Sequence, residues 1–170
     1  MKRLIALGIS IGVLAGLWTI FALSVAVIGG YKAPFVVWIG FAAWAVFYAA
    51  GGRLPGLTKT LGSTISGLLW GYVLLWAATQ VSEGSAAVLG LFVAIAAFGM
   101  CVQGAVPLLA FIPGAFVGAA AYFGSGGVFW STLLSLVAGA LLAYVSELLG
   151  DVIEKALTSR RTSRPATATA

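Results

Sequence analysis

Residues 4–28 read LIALGISIGVLAGLWTIFALSVAVI, 25 positions without a charged side chain. As a helix this stretch reaches roughly 37 Å at 1.5 Å per residue, enough to cross about 30 Å of hydrocarbon. A barrel strand needs only about 10 residues and alternates strictly between apolar and polar positions; this run is longer and does not alternate. Lys2 and Arg3 in front of it, with Ser24-Val25-Ala26 near its end, also fit a signal peptide with a cleavage site. The apolar core of a signal peptide is, however, only about 7–15 residues long. The stretch therefore reads as a retained first transmembrane helix.

Five more apolar runs follow, at residues 34–50, 57–78, 86–102, 106–123 and 128–149, separated by Gly- and Pro-rich gaps. The chain has 170 residues, of which 62% are hydrophobic and 8% charged. A soluble domain carries about 25% charged residues, so this surface has to face lipid. The expected fold is all-α, a polytopic membrane protein of about six transmembrane helices. The second and fifth runs are the shortest, and one of them is a candidate re-entrant segment. The domain expectation is a transmembrane unit over 1–155, with halves at about 1–80 and 81–155. Residues 156–170 are read as a polar, disordered cytoplasmic tail.

Charge placement sets the orientation. Lys2, Arg3, Arg53, Lys59, Lys155, Arg160, Arg161 and Arg164 fall on one side of a six-span topology and Lys32 on the other. Basic residues stay inside, so both termini are expected in the cytoplasm. The net charge of +5 comes from these flanks and not from a basic stripe, which argues against nucleic acid as a partner. There is no histidine and one cysteine, Cys101. Metal centres, Walker-type phosphate loops and Ser-His-Asp sets lack their parts, so no enzyme activity, cofactor or metal is expected.

The chain also matches itself at an offset of 72 to 75 residues. Pro34 meets Pro107, Phe47-Tyr48 meets Tyr122-Phe123, and Gly51-Gly52 meets Gly126-Gly127. Thr60-Leu61 meets Thr132-Leu133, and Ser63, Gly67 and Tyr72 meet Ser135, Gly139 and Tyr144. Three helices per unit is an odd number, so the second unit enters the membrane from the opposite face. The expected arrangement is a 3+3 inverted repeat, a plan common among transporters.

Within the runs, Gly8, Gly12 and Gly16 share one helix face, and Gly67/Gly71 and Gly114/Gly118 repeat the spacing of four. Small residues let membrane helices approach closely, so these positions are read as packing faces within or between subunits. Pro113-Gly114 lies inside the fifth run, where proline should kink or break the helix; its counterpart in the second run falls near Gly40. Neutral polar residues Ser63, Ser66, Gln103 and Ser135 are candidates, with Gly40, Pro113 and Gly114, for lining a pore or solute path. Glu147 is the one acid expected within the membrane and a candidate functional acid. Its spacing to Asp151 and Lys155 also fits a solvated helix face.

The stretches Gly16-Leu17-Trp18, Ser66-Gly67-Leu68-Leu69-Trp70, Met100-Cys101-Val102-Gln103 and Phe111-Ile112-Pro113-Gly114-Ala115-Phe116-Val117-Gly118-Ala119 resemble the bacterial inner-membrane family of unknown function that includes YcdZ. The resemblance covers the chain apart from its tail and implies a bacterial inner-membrane location. It carries no substrate or site. The expected function is a channel or transporter for a small, uncharged solute. The alternative is a structural or accessory membrane subunit that binds a partner protein. Expected partners are the lipid bilayer, a small neutral solute and, through the small-residue faces, further copies of the chain in a homo-oligomer.

Overall fold

The computed structural model describes residues 1–29, 34–82 and 84–162. All regular structure among these residues is helical: α1 (Lys2–Gly29), α2 (Val37–Ala49), α3 (Arg53–Val81), α4 (Ala86–Val102), α5 (Ile112–Gly124) and α6 (Phe129–Thr162). Two short 3-10 turns, Gln103–Ala105 and Pro107–Leu109, connect α4 to α5. Helices α1, α3, α4 and α6 are long and apolar enough to cross a membrane. Helices α2 and α5, at 13 residues each, reach only about 20 Å. Four long helices and two short ones therefore stand where the hydropathy pattern suggests about six spans, and the short ones are the second and fifth, the shortest runs.

The reason lies in how the two short runs begin. In the fifth run, Pro107 opens a 3-10 turn and Pro113 stands in the first turn of α5. A proline there gives up an N–H that would have had no helical partner. Pro113 thus starts a helix and does not kink one. The second run stays extended through Val36 and turns helical only at Val37, which leaves Gly40 near the start of α2. At the other end of the chain, α6 continues through residues 156–162, the first part of the expected disordered tail. Thr158 and Ser159 turn their hydroxyls back to the carbonyls of Glu154 and Ala156, at 2.9 and 3.1 Å. Residues 163–170 lie outside the described residues, as do Gly30 and Lys32.

The helices interlock across the two halves of the chain. α5 packs along α3 and α2 along α6, while α1 lies beside α6 and α4 beside α3. Glycine makes the short-on-long contacts possible. A Cβ at Gly67 or Gly118 would overlap a carbonyl oxygen of the facing helix, that of Ala115 or Thr64; one at Gly139 would overlap the carbonyl of Gly40. In lipid there is little hydrophobic drive between helices, so such dispersion contacts hold the bundle. Ile39 and Ala43 of α2, Leu68 of α3, Ala121 and Tyr122 of α5, and Leu136 of α6 close the centre.

The outside is apolar, as a lipid-facing surface must be, with Leu17, Leu69, Phe98 and Val152 among its exposed residues. Trp38, Trp76 and Trp130 are exposed and placed to act as interface anchors, whereas Trp18 and Trp44 are buried.

The turns that lead from each short helix into the next long one share a backbone pattern. Ala50, Gly51 and Gly52 donate to the carbonyls of Val46, Tyr48 and Phe47; Ser125, Gly126 and Gly127 donate to those of Ala121, Phe123 and Tyr122. All four glycines have positive φ, between 67° and 101°, the conformation that ends helices at low cost only when no side chain is present.

Candidate functional site

The candidate path residues fall into two groups on different helix pairs. In the first, Gly114 of α5 presses on the Ser63 side chain of α3. One turn along, Ser66 donates to the carbonyl of Ser63 at 2.9 Å and accepts from Gln103 Nε2 at 2.9 Å. The other end of the Gln103 amide accepts from Trp70 Nε1 at 3.0 Å. An amide away from water needs such partners, and here protein supplies a donor and an acceptor. Pro113 is exposed at the edge of this group.

The second group sits where α2 starts. Ser135 of α6 accepts the Val36 N–H at 2.8 Å and donates to the Ser131 carbonyl at 2.6 Å. Trp18 Nε1 donates to the Val37 carbonyl at 3.1 Å, and Gly40 lies against Gly139. Ser135 thereby takes up one of the backbone donors that a helix start leaves open.

Between the groups, Thr60, Ser63, Thr64, Thr132 and Ser135 are completely buried. Each donates to a carbonyl one turn back on its own helix. These hydroxyls are spent on backbone, and the centre they occupy is closely packed. The cavities beside the first group open on the outside of the bundle instead. One of about 370 Å³ is lined by Ser66, Leu69, Trp70, Val73 and Gln103. Another of about 540 Å³ runs past Leu61, Gly62, Ile65 and Leu108.

The glycine faces separate in the same way. Gly67, Gly71 and Gly118 lie in the contact between α3 and α5. Among the described residues, Gly8, Gly12 and Gly16 of α1 have no atom of another element within 4 Å of where a Cβ would stand. Their shared face is open.

A third constellation lies where the second half of α6 meets the start of α3. Glu147 is only 6% exposed. Its Oε2 accepts the backbone N–H of Arg53 at 2.6 Å, and its Oε1 lies 3.3 Å from Arg53 Nε. One turn on, Asp151 takes the other edge of the same guanidinium through Nη1 and Nη2. Gly52 has to be glycine for this approach as well as for its φ, because a Cβ would stand 2.8 Å from Glu147 Oε1. Next to Glu147, Ser146 shares a hydrogen bond with Tyr48 OH at 2.8 Å, and its carbonyl accepts from Ser10 at 2.8 Å. Four helices are tied together at this end.

The solvated-face reading of Glu147 is thus corrected. α6 turns it inward against the α2–α3 turn, and Arg53 makes its burial tolerable by pairing with it. Sequence reasoning missed Arg53, Tyr48 and Ser146. The available signal was a lone arginine directly after Gly51-Gly52, opposite the chain's one candidate membrane acid. Among the described residues no three His, Cys, Asp or Glu side chains stand together as a metal site would require.

Comparison with known proteins places these features in context. Residues 8–151 match the model of a protein family of unknown function, DUF1097. The chain is 34% identical over 164 residues to the uncharacterized protein YahC of Escherichia coli (strain K12), covering 94% of this chain and 98% of that one. It is 31% identical over 146 residues to the inner membrane protein YcdZ of the same strain, covering 85% and 83%. It is 30% identical over 145 residues to the inner membrane protein YcdZ of Salmonella typhimurium, covering 85% of each. No solved structure matches.

Proposed function

The chain belongs to the DUF1097 family of proteins of unknown function, and from that premise we propose that it is a multi-pass inner-membrane protein built as a 3+3 inverted repeat, moving a small, uncharged solute. The inner-membrane location follows the relatives named inner membrane protein. Both termini are cytoplasmic on the count of basic residues.

One observation carries the reading: each half contributes one crossing whose helical part, at 13 residues, is shorter than a full span, and it docks on the last long helix of the other half. Interrupted segments at corresponding places in two halves mark the solute site in many transporters. The correspondence extends to single atoms. Gly67 faces the Ala115 carbonyl as Gly139 faces the Gly40 carbonyl. Ser63 and Ser135 both donate four residues back, to Lys59 and Ser131, as do Thr60 and Thr132, to Gly56 and Val128. The packed centre fits a transporter between openings better than a standing channel. The lipid bilayer is the partner of the outer surface.

The packed centre equally suits the second reading, a structural or accessory subunit. The open glycine face of α1 favours that reading, since it leaves a surface for another membrane helix or a second copy.

Flux into proteoliposomes of urea, small amides, short acids and polyols decides between them. We expect at least one neutral solute to enter faster than into protein-free vesicles. Equal rates for every solute, together with a stoichiometric partner lost on Gly12→Leu, would establish the subunit reading instead. Reporter fusions at both termini test the topology separately and should both report cytoplasm.

A further inference from the structure

The α2–α3 and α5–α6 turns share their backbone bonds but not the way the following helix is anchored. Gly52 is eight residues from Thr60, whereas Gly127 is five residues from Thr132. Arg53, Leu54 and Pro55 therefore have no counterpart in the second half. This addition places Arg53 at φ 57°, a conformation rare for a residue with a side chain. It also directs the Arg53 N–H to Glu147. In the matching register, Glu147 of α6 corresponds to Leu75 of α3, so the acid too is peculiar to one end.

The opposite end is held locally. There the Ser125 hydroxyl accepts the Val128 N–H at 3.2 Å and lies 2.8 Å from the Thr132 hydroxyl. All three residues belong to the second half of the chain. Around them Tyr72, Tyr122 and Phe129 stack by their edges, with centroids 5.5 to 6.2 Å apart, and among the described residues no charged group takes part in these contacts. At the first turn, by contrast, the start of α3 is held by a carboxylate from α6, 94 residues away. That carboxylate faces the positive end of the α3 dipole as well as the guanidinium.

We propose that Arg53, Glu147 and Asp151 form a one-sided latch that locks the two halves together at the end carrying the termini, so that any movement between halves opens the α5–α6 end first. The proposal rests on the inverted-repeat reading, because only that reading makes the two turns equivalent places to compare. The physical basis is the difference in what must be broken. Parting α3 from α6 at the latched end strands a buried carboxylate and a backbone donor. Parting the halves at the other end leaves the Ser125 bonds intact and breaks the Val36–Ser135 hydrogen bond and apolar packing, but among the described residues strands no buried charge.

Hydrogen–deuterium exchange on the full chain in lipid nanodiscs tests the latch without any solute, so its outcome is independent of the flux result. Amides of residues 47–57 should exchange at least tenfold more slowly than those of residues 122–132. Glu147→Gln should bring the two within about threefold by speeding the first alone. If that variant does not fold, Asp151→Asn, altered at the more exposed half of the latch, should speed residues 47–57 in the same selective way. Equal exchange at both turns in the unaltered protein would overturn the proposal. So would variants that leave residues 47–57 unchanged or that loosen both turns alike.

Discussion

The two glycine turns show how one local solution can serve two different long-range ends. Both close their helix with the same three backbone bonds and the same pair of positive-φ glycines. Beyond that, the α5–α6 turn is completed by its own serine, while the α2–α3 turn is completed by an acid from α6. A local cap makes a turn autonomous. A distant cap makes it depend on the packing of the whole bundle, and it makes the bundle depend on the turn.

The sharpest way to break the comparison is to attack what the halves have in common. Gly67→Leu and Gly139→Leu each drive a side chain into a facing carbonyl, and each should cost about 3 kcal/mol or more. Thermal unfolding in detergent should show two losses of similar size; a large loss at one site alone would argue against equivalent halves.

Next in size is the contrast at the turns. Gly52→Ala must hold φ 67° with ψ −167° and also crowd Glu147. Gly127→Ala, at φ 80°, meets only the Tyr122 hydroxyl at 3.5 Å and its ring carbon at 3.7 Å. A glycine-only conformation costs an alanine about 1–3 kcal/mol, so Gly52→Ala should be the more damaging of the two. Matching melting temperatures would mean that the Glu147 contact adds nothing.

The smallest effect is expected at Asp151→Asn. Its partner Arg53 is half exposed, and solvent screening leaves an exposed ion pair little to contribute. Global stability should barely move even where local exchange at the turn does.

Much of this arrangement is legible along the chain because its causes are local. The lengths of α1 and α4 follow from runs without charges, and the ends of α2 and α5 follow from Gly51-Gly52 and Gly126-Gly127. The short α5 can be read from Pro107 and Pro113, provided each proline is taken as a helix start. The packing role of Gly67 follows from its spacing to Gly71. That same spacing is uninformative for Gly8, Gly12 and Gly16, whose face meets nothing among the described residues. Spacing reports which residues share a face, not what lies opposite.

For the same reason, the site residues were recognisable as types but not as groups. Gln103 needs partners wherever it sits, yet only the approach of α3 to α4 identifies them as Ser66 and Trp70. Ser135 looks like a path-lining hydroxyl until α2 is seen to begin against it. Glu147, Asp151 and Lys155 read as a wet stripe because their four-residue steps are identical to those of a solvated helix.

The sequence by itself determined that the chain suits lipid, that it is helical, and where its apolar runs and glycine turns lie. These follow from composition, charge spacing and turn chemistry, which act within a few residues. Only the tertiary structure decided that the halves interlock short helix on long helix, that the centre is packed, and that Glu147 is buried against Arg53. Those depend on contacts between residues up to about a hundred positions apart, where the energy of an arrangement belongs to no single segment.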